Sequence, residues 1–312
     1  MRRLSRSLLE GETLPFLRDW IDQYDSRIAA WVRRLDAGEN PERLALGFDV
    51  VRDMWRTTGA IARDDGPLRA LPEPWVGDPF SPDLQAVFVC HNPGAALPAQ
   101  MHPHGALVER IRSGMAYSQL AGRWALAPET RRWWSRLAGW AARLLGVPPV
   151  RRAFPILGID LLPWHSELRA PFRPDRRGCE FLRRWVFLPA REAAKRSRLR
   201  LRLSENVEAP AAIANHGWVD AVLEALGAEE LTRIDHERHG ERIAAWPRNL
   251  SDKPVRRTFV LRRLPLPRGD LHLLVSWAPG SNLPPAAAFD PLTRWLLRSW
   301  WRDREPPATI GA

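Results

Sequence analysis

Val87-Phe88-Val89-Cys90-His91-Asn92-Pro93-Gly94 is the stretch on which the fold turns. Its apolar, β-favouring start is too short for a helix. It lacks polar alternation, so it suits a strand buried on both faces, as in a parallel sheet. His91 and Asn92 then place two polar side chains where that strand should end, and Pro93-Gly94 forces a turn. In open α/β sheets ligands bind beyond the carboxyl ends of the strands. Two further segments have the same build. Leu271-His272-Leu273-Leu274-Val275 runs into Ser276-Trp277-Ala278-Pro279-Gly280-Ser281-Asn282, and Phe154-Pro155-Ile156-Leu157-Gly158-Ile159 delivers Asp160-Leu161-Leu162-Pro163-Trp164-His165-Ser166. Three polar, Pro-punctuated strand ends can line one crevice.

Outward from these strands, the pattern alternates strand with helix. Residues 1–70 read as helices: Leu14, Phe16, Leu17, Trp20, Ile21, Ile28 and Trp31 recur at helical spacing, as do Leu44, Phe48, Val51, Met54 and Trp55. Gly38-Glu39-Asn40-Pro41 reads as the turn between them, and the Pro/Gly-rich stretch from Leu71 to Asp83 as an extended lead-in. Helices are predicted near 105–125, 128–146, 178–197, 218–226 and 290–302. Ala211-Ala212-Ile213-Ala214 is a short strand ending at Asn215-His216-Gly217, residues 228–256 are charged and irregular, and Phe259 to Leu266 is an edge strand. The expected fold is α/β: a three-layer sandwich around a central, mainly parallel four-stranded sheet, with an N-terminal helical extension. Residues 1–71 form the extension and 72–312 the main domain.

At 312 residues the chain can bury a full core. Its formal net charge of +11 is carried almost wholly by arginine, with Lys195 and Lys253 the only lysines. Such an excess favours a polyanionic partner, nucleic acid first, over general solubility, because arginine also binds phosphate in a bidentate way. Cys90 and Cys179 cannot build a four-thiolate cluster or a disulfide framework. No apolar run approaches a membrane-spanning length, and Met1-Arg2-Arg3 leads into an amphipathic pattern, so no membrane partner and a cytoplasmic, nucleoid-associated location are expected. His102-Pro103-His104 lacks a third ligand placed by any motif, so neither a metal nor another cofactor is expected.

The order of strand ends, Asn-Pro-Gly, then Asp-Leu-Leu-Pro-Trp-His-Ser, then Asn-His-Gly-Trp, then Ala-Pro-Gly-Ser-Asn-Leu, resembles the uracil-DNA glycosylase superfamily. Its mismatch-specific and single-strand-selective branches carry Gly-x-Asn-Pro-Gly at the first strand end. Asn92-Pro93-Gly94 matches three of these positions and His91 fills the variable one, while Cys90 replaces the leading Gly. The likeness covers roughly residues 72–302 as an order of elements. The last motif departs most, since Ala278-Pro279-Gly280 lacks the His of the family's His-Pro-Ser.

The resemblance implies a DNA glycosylase that flips a base and hydrolyses its N-glycosidic bond. Asn92 would position the attacking water through its side-chain carbonyl; the competing reading is a turn cap before Pro93. His165, or His91, would stabilise the departing base in place of the missing motif His, or His165 is structural. Asp160 stands where related branches often have Asn. As an ionised acceptor it would be repelled by uracil O4 and would gain a bond from cytosine N4, unless it caps a helix or pairs with an arginine. Gly94, in place of a bulky Tyr, leaves room for a C5 substituent. Together these suggest a C5-modified cytosine in foreign DNA, such as that of a phage. Trp164, Tyr117 and His91 are candidates for base contact, with a core role the alternative for Trp164. Leu283, with Ser281 and Asn282, would wedge into the base stack, or Leu283 would make a helix-entry contact. Arg169, Arg173, Arg176 and Arg177 lie in or beside a basic loop fit for phosphate, or form a solvated run. Uracil or mismatch repair, a catalytically inactive DNA-binding protein and a nucleoside hydrolase are the other readings.

Overall fold

The computed structural model describes residues 6–39, 72–91, 107–124, 128–148, 154–163, 173–244, 246–279 and 283–302. In chain order the elements are α1 (Arg6–Asp36), β1 (Trp75–Val76), β2 (Ala86–Cys90), α2 (Tyr117–Trp124), α3 (Pro128–Leu145), β3 (Ile156–Asp160) and α4 (Arg176–Leu182). A π-helical turn (Arg183–Phe187) then leads to α5 (Leu188–Arg196), β4 (Arg200–Ser204), β5 (Val207–Ala214), α6 (Gly217–Ala225), β6 (Glu229–Asp235) and α7 (His236–His239). β7 (Thr258–Leu264), β8 (Leu271–Trp277) and α8 (Asp290–Arg298) close the chain. Among the described residues no helix is long and apolar enough to cross a membrane.

The fold is α/β with a mixed eight-stranded sheet, ordered β1-β3-β2-β5-β8-β7-β6, with β4 paired to β5 off this path. The expected four-stranded sheet is therefore corrected. Its four parallel strands are present as the centre, in the order β3-β2-β5-β8. Antiparallel β1 extends this centre on one side, and β7 with β6 on the other. β7, expected as an edge strand, is covered by β6, whose charged sequence hid it inside the stretch read as irregular. Arg262 on β7 and Arg233 on β6 both reach Asp220 on α6, so the charges that disguise these strands are partly spent inside the fold. β5 is also longer than its apolar half. Val207 to Pro210 pair with β4, while Ala211 to Ala214 enter the main sheet between β2 and β8.

Strand alternation sends two sets of apolar residues to opposite faces. Val87, Val89, Leu157, Ile159, Ala212 and Val275 pack with residues of α1, α2, α5 and α6. Ala86, Phe88, Ile156, Ile213 and Leu274 pack with α3 and α8. Phe88 meets Trp140 of α3 at 6.0 Å between ring centroids. The sheet is thus covered by helices on both faces, as its apolar strands require.

α1 shares the first of these cores. Leu17, Trp20, Tyr24, Ile28 and Trp31 are buried, which accounts for the helical spacing in the sequence. Its polar contacts run the length of the helix. Thr13 donates to Glu192 (2.8 Å), Trp20 Nε1 donates to the Trp185 carbonyl in the π-helical turn (3.1 Å), and Asp25 accepts from the Ser118 amide (2.8 Å) and hydroxyl (2.6 Å). Glu192 is fully buried and also binds Arg191, Lys195 (3.0 Å) and Arg268 (3.4 Å), joining α1, α5 and the β7–β8 turn. Gly38, at φ 79°, ends the helix region in the turn expected at 38–41. The second helical stretch expected at 44–55 lies outside the described residues.

Candidate functional site

Because the central strand pairs are parallel, β3, β2, β5 and β8 end on one side of the sheet. From β2 the chain crosses to β3 on one flank and later to β5 on the other, so strand order reverses between β2 and β5. Loops leaving a reversal of this kind diverge and open a crevice.

His91 follows β2 and His216 follows β5, and their rings stack across the reversal at 4.9 Å between centroids and 18° between planes. Trp218 packs against both, 4.7 Å from His91 and 4.8 Å from His216. His216 caps the N-terminus of α6, its Nδ1 accepting the Trp218 backbone N–H at 3.0 Å. An accepting Nδ1 puts the ring proton on Nε2. Burial pushes His216 down to about 4, so at neutral pH it is a neutral ring that donates through Nε2. Gly217 makes room here: a Cβ would stand 3.1 Å from the Trp277 indole, which would have to give by a few tenths of an ångström.

Asp160, at the end of β3, is buried and lies opposite Cys90 in the parallel register. Its neighbourhood is acidic and apolar. Burial first, and the nearby Glu73 second, raise its carboxyl well above the usual carboxylate range. Burial thus disfavours the ionised acceptor expected from sequence, and a neutral carboxyl would offer one O–H donor and one carbonyl acceptor. The chain holds it firmly: the Asp160 amide donates to the Pro74 carbonyl (3.1 Å), and the Glu73 amide to the Pro163 carbonyl (2.7 Å). Cys90 is raised too, by burial and then by Asp160, so its thiol is not a ready nucleophile.

Arg257 completes the row on the far side. It is 5% exposed, and Nε donates to Ser276 Oγ on β8 (2.9 Å). Nη2 donates to Asn215 Oδ1 after β5 (3.0 Å) and to the Leu283 carbonyl (3.2 Å). Arg143 meanwhile donates to the Pro285 carbonyl (3.1 Å) and pairs with Asp290 (2.7 Å). The stretch after β8 is therefore pinned at two carbonyls, while Leu283 is 44% exposed.

Of the residues expected from sequence, His91 and Asp160 lie on this row and Leu283 at its end. Tyr117 is buried, with its hydroxyl donating to the Trp75 carbonyl (2.6 Å) and its ring edge-on to Trp75 at 4.9 Å; it supports the wall behind Asp160. Arg173, Arg176 and Arg177 are exposed. Arg176 and Arg177 open α4, capped by Asp175, rather than lying in a loop. Asn92, Gly94, Trp164, His165, Arg169, Ser281 and Asn282 fall outside the described residues, as do His102 and His104. Among the described residues no group of three or more His, Cys, Asp or Glu is placed to hold a metal ion.

Sequence reading missed Arg257, Glu73 and the pairing of His216 with His91. The signal for His216 was present in Asn215-His216-Gly217, a fourth polar strand end. Arg257 gave none, because it precedes an antiparallel strand instead of following a parallel one. A cleft of about 970 Å³ bounded by Arg238, Arg242, Trp300 and Trp301 lies apart from this row, at the β6 edge. No protein-family model, curated protein or solved structure matches this chain.

Proposed function

We propose that this protein is a DNA glycosylase, flipping a base out of the duplex and hydrolysing its N-glycosidic bond to leave an abasic site. The observation that carries the reading is the row Asp160, His91, His216 and Arg257 across the carboxyl ends of four parallel strands, centred on the reversal between β2 and β5. Such a reaction needs no covalent help. It needs a pocket with a π-face and edge-reading polar groups, a held water and electrostatic stabilisation of the departing base. His91, His216 and Trp218 offer π-faces, Asp160 reads an edge, and Asn92 next to His91 is the candidate for holding the water. Exposed Leu283 suits the wedge, and the formal net charge of +11 suits a polyanion.

Within that reading the substrate is a C5-modified cytosine-type base of foreign DNA. A neutral Asp160 can donate to cytosine N3 while accepting from N4. The same observation favours a second substrate, uracil in ordinary or mismatched DNA, since the neutral acid can equally accept from N3–H and donate to O4. The deciding experiment counts alkali-labile sites after incubation with plain, uracil-containing and C5-modified-cytosine DNA. Sites in modified DNA alone support the first substrate and sites in uracil DNA alone the second. Cleavage of none, with salt-dependent binding retained, refutes the enzyme and leaves an inactive binder. An Asn92→Ala variant is expected to bind but not cleave.

A further inference from the structure

Arg257 is the exception among the deeply buried cations of the described residues. Arg262, equally buried, is neutralised by Asp220 at 2.8 Å and Glu230 at 3.2 Å. Arg191 and Lys195 share the buried Glu192. Arg257 instead meets neutral groups: the Ser276 hydroxyl, the Asn215 amide, the Leu283 carbonyl and, 5.9 Å from its guanidinium carbon, the face of the Phe259 ring. Among the described residues no carboxylate forms an ion pair with it. An uncompensated ion in a protein interior costs several kcal/mol even after relaxation. A neutral side chain could have tied β5, β8 and the following loop together at less cost. The three bonds use Nε and Nη2, which leaves Nη1 for a further acceptor.

We propose that Arg257 forms an anion-binding site at the carboxyl ends of β5 and β8, for a small anion of delocalised charge. The Ser276, Asn215 and Leu283 oxygens fix the plane of the guanidinium, and the anion supplies the missing countercharge. The site stands on the uncompensated cation alone; its ligand rests on the glycosylase reading, which supplies two sources. One is a backbone phosphate flanking the flipped nucleotide. The other is the base itself: the C1′–N bond breaks with its electron pair left on the base nitrogen, the water oxygen bonds C1′, and the water's proton ends on the base.

The test follows thermal unfolding of the full chain with inorganic phosphate as probe, against chloride at matched ionic strength. Wild type is expected to show a saturable rise in midpoint beyond that of chloride. Arg257→Gln should abolish the rise and Arg257→Lys should keep part of it, with near-ultraviolet circular dichroism confirming the fold. Asn215→Asp provides a second route, because it sets a countercharge 3.0 Å from Nη2 and should abolish the phosphate response in a folded protein. An absent response in wild type, or an undiminished one in Arg257→Gln or Asn215→Asp, overturns the proposal. The source follows from DNA. A phosphate contact lowers the salt dependence of binding by about one ion in Arg257→Gln. A base contact leaves that slope intact and slows single-turnover base release, most for the poorest leaving groups. Failure of wild type to release any base, with the phosphate response intact, sinks the glycosylase reading and leaves the anion site standing.

Discussion

Gly158→Ala tests how closely the sheet and α3 are fitted. Gly158 is the middle residue of β3, and the ring of Trp134 lies directly on it. A Cβ built there would stand 2.4 Å from Cη2 and 2.5 Å from Cζ3 of that indole. Ordinary carbon contacts fall at about 3.5–4.0 Å, so the ring must retreat by about 1 Å. It is rigid, 93% buried by difference from its 7% exposure, and set edge-on to Phe154 at 5.9 Å, so the displacement spreads into its neighbours. Overpacking of this kind costs about 1–3 kcal/mol. Trp134→Leu alone should cost about 3 kcal/mol through lost burial. Combined, the two changes should be less damaging than their sum by about 1–2 kcal/mol, because the ring that clashes is gone. Gly139→Ala is the control: on α3 a Cβ at Gly139 meets nothing within 4 Å, and the same substitution should stabilise by about 0.5–1 kcal/mol. Equilibrium urea unfolding of the four variants measures all of these terms. Additivity of the Gly158 and Trp134 changes within about 0.5 kcal/mol would refute the packing argument.

Three other outcomes are expected. Glu192→Ala strands Arg191 and Lys195 in the interior and should cost about 3–5 kcal/mol in urea unfolding, against about 1 kcal/mol for Thr13→Val; a loss for Glu192→Ala below that of Thr13→Val would contradict its role as the tie between α1 and the sheet. Burial alone would raise the Glu192 carboxyl, but Lys195, Thr13 and Arg191 outweigh it and hold it low. Its contribution is therefore complete above the unfolded carboxyl value near 4.3 and disappears as pH falls through the lower folded value, so wild type and Glu192→Gln should converge on acidification. Asp160 has the opposite sign. Its carboxyl is raised, so wild type loses stability as pH climbs from about 3.9 toward the folded value, by about 1.4 kcal/mol per unit, while Asp160→Asn does not. A difference between the two proteins that stays flat from pH 4 to 8 would show that Asp160 is not held neutral.

The parallel centre was legible because its strands meet burial on two faces with apolar runs, interrupted only by His272 in β8, and those runs stop at prolines and polar side chains. Val87 to Val89, Ile156 to Ile159 and Leu271 to Val275 need no partner to be recognised. β4 and β6 were illegible for the converse reason. Arg200-Leu201-Arg202-Leu203-Ser204 follows a helix that also ends in arginines, and Glu229-Glu230-Leu231-Thr232-Arg233-Ile234-Asp235 has one fully buried apolar side chain, Ile234. Both are edge strands in which charge is tolerated on the open side, so periodicity alone cannot separate them from loops.

The candidate site divides along the same line. Residues that follow a parallel strand announce themselves, as His91, Asp160 and Asn215-His216 do, because the strand before them is apolar and the chain must turn. Arg257 reaches the same place from the opposite direction. Thr258 of β7 pairs with Trp277 of β8, so the residue before Thr258 stands at the carboxyl end of β8. An antiparallel neighbour delivers its first residue, not its last, to the carboxyl end of the parallel set. In a mixed sheet the residue just before such a strand belongs to the crevice as fully as those that follow the parallel ones. The chemistry of the row is read across the sheet, from Asp160 through the His91–His216 stack to Arg257, and only pairing and register reveal that order.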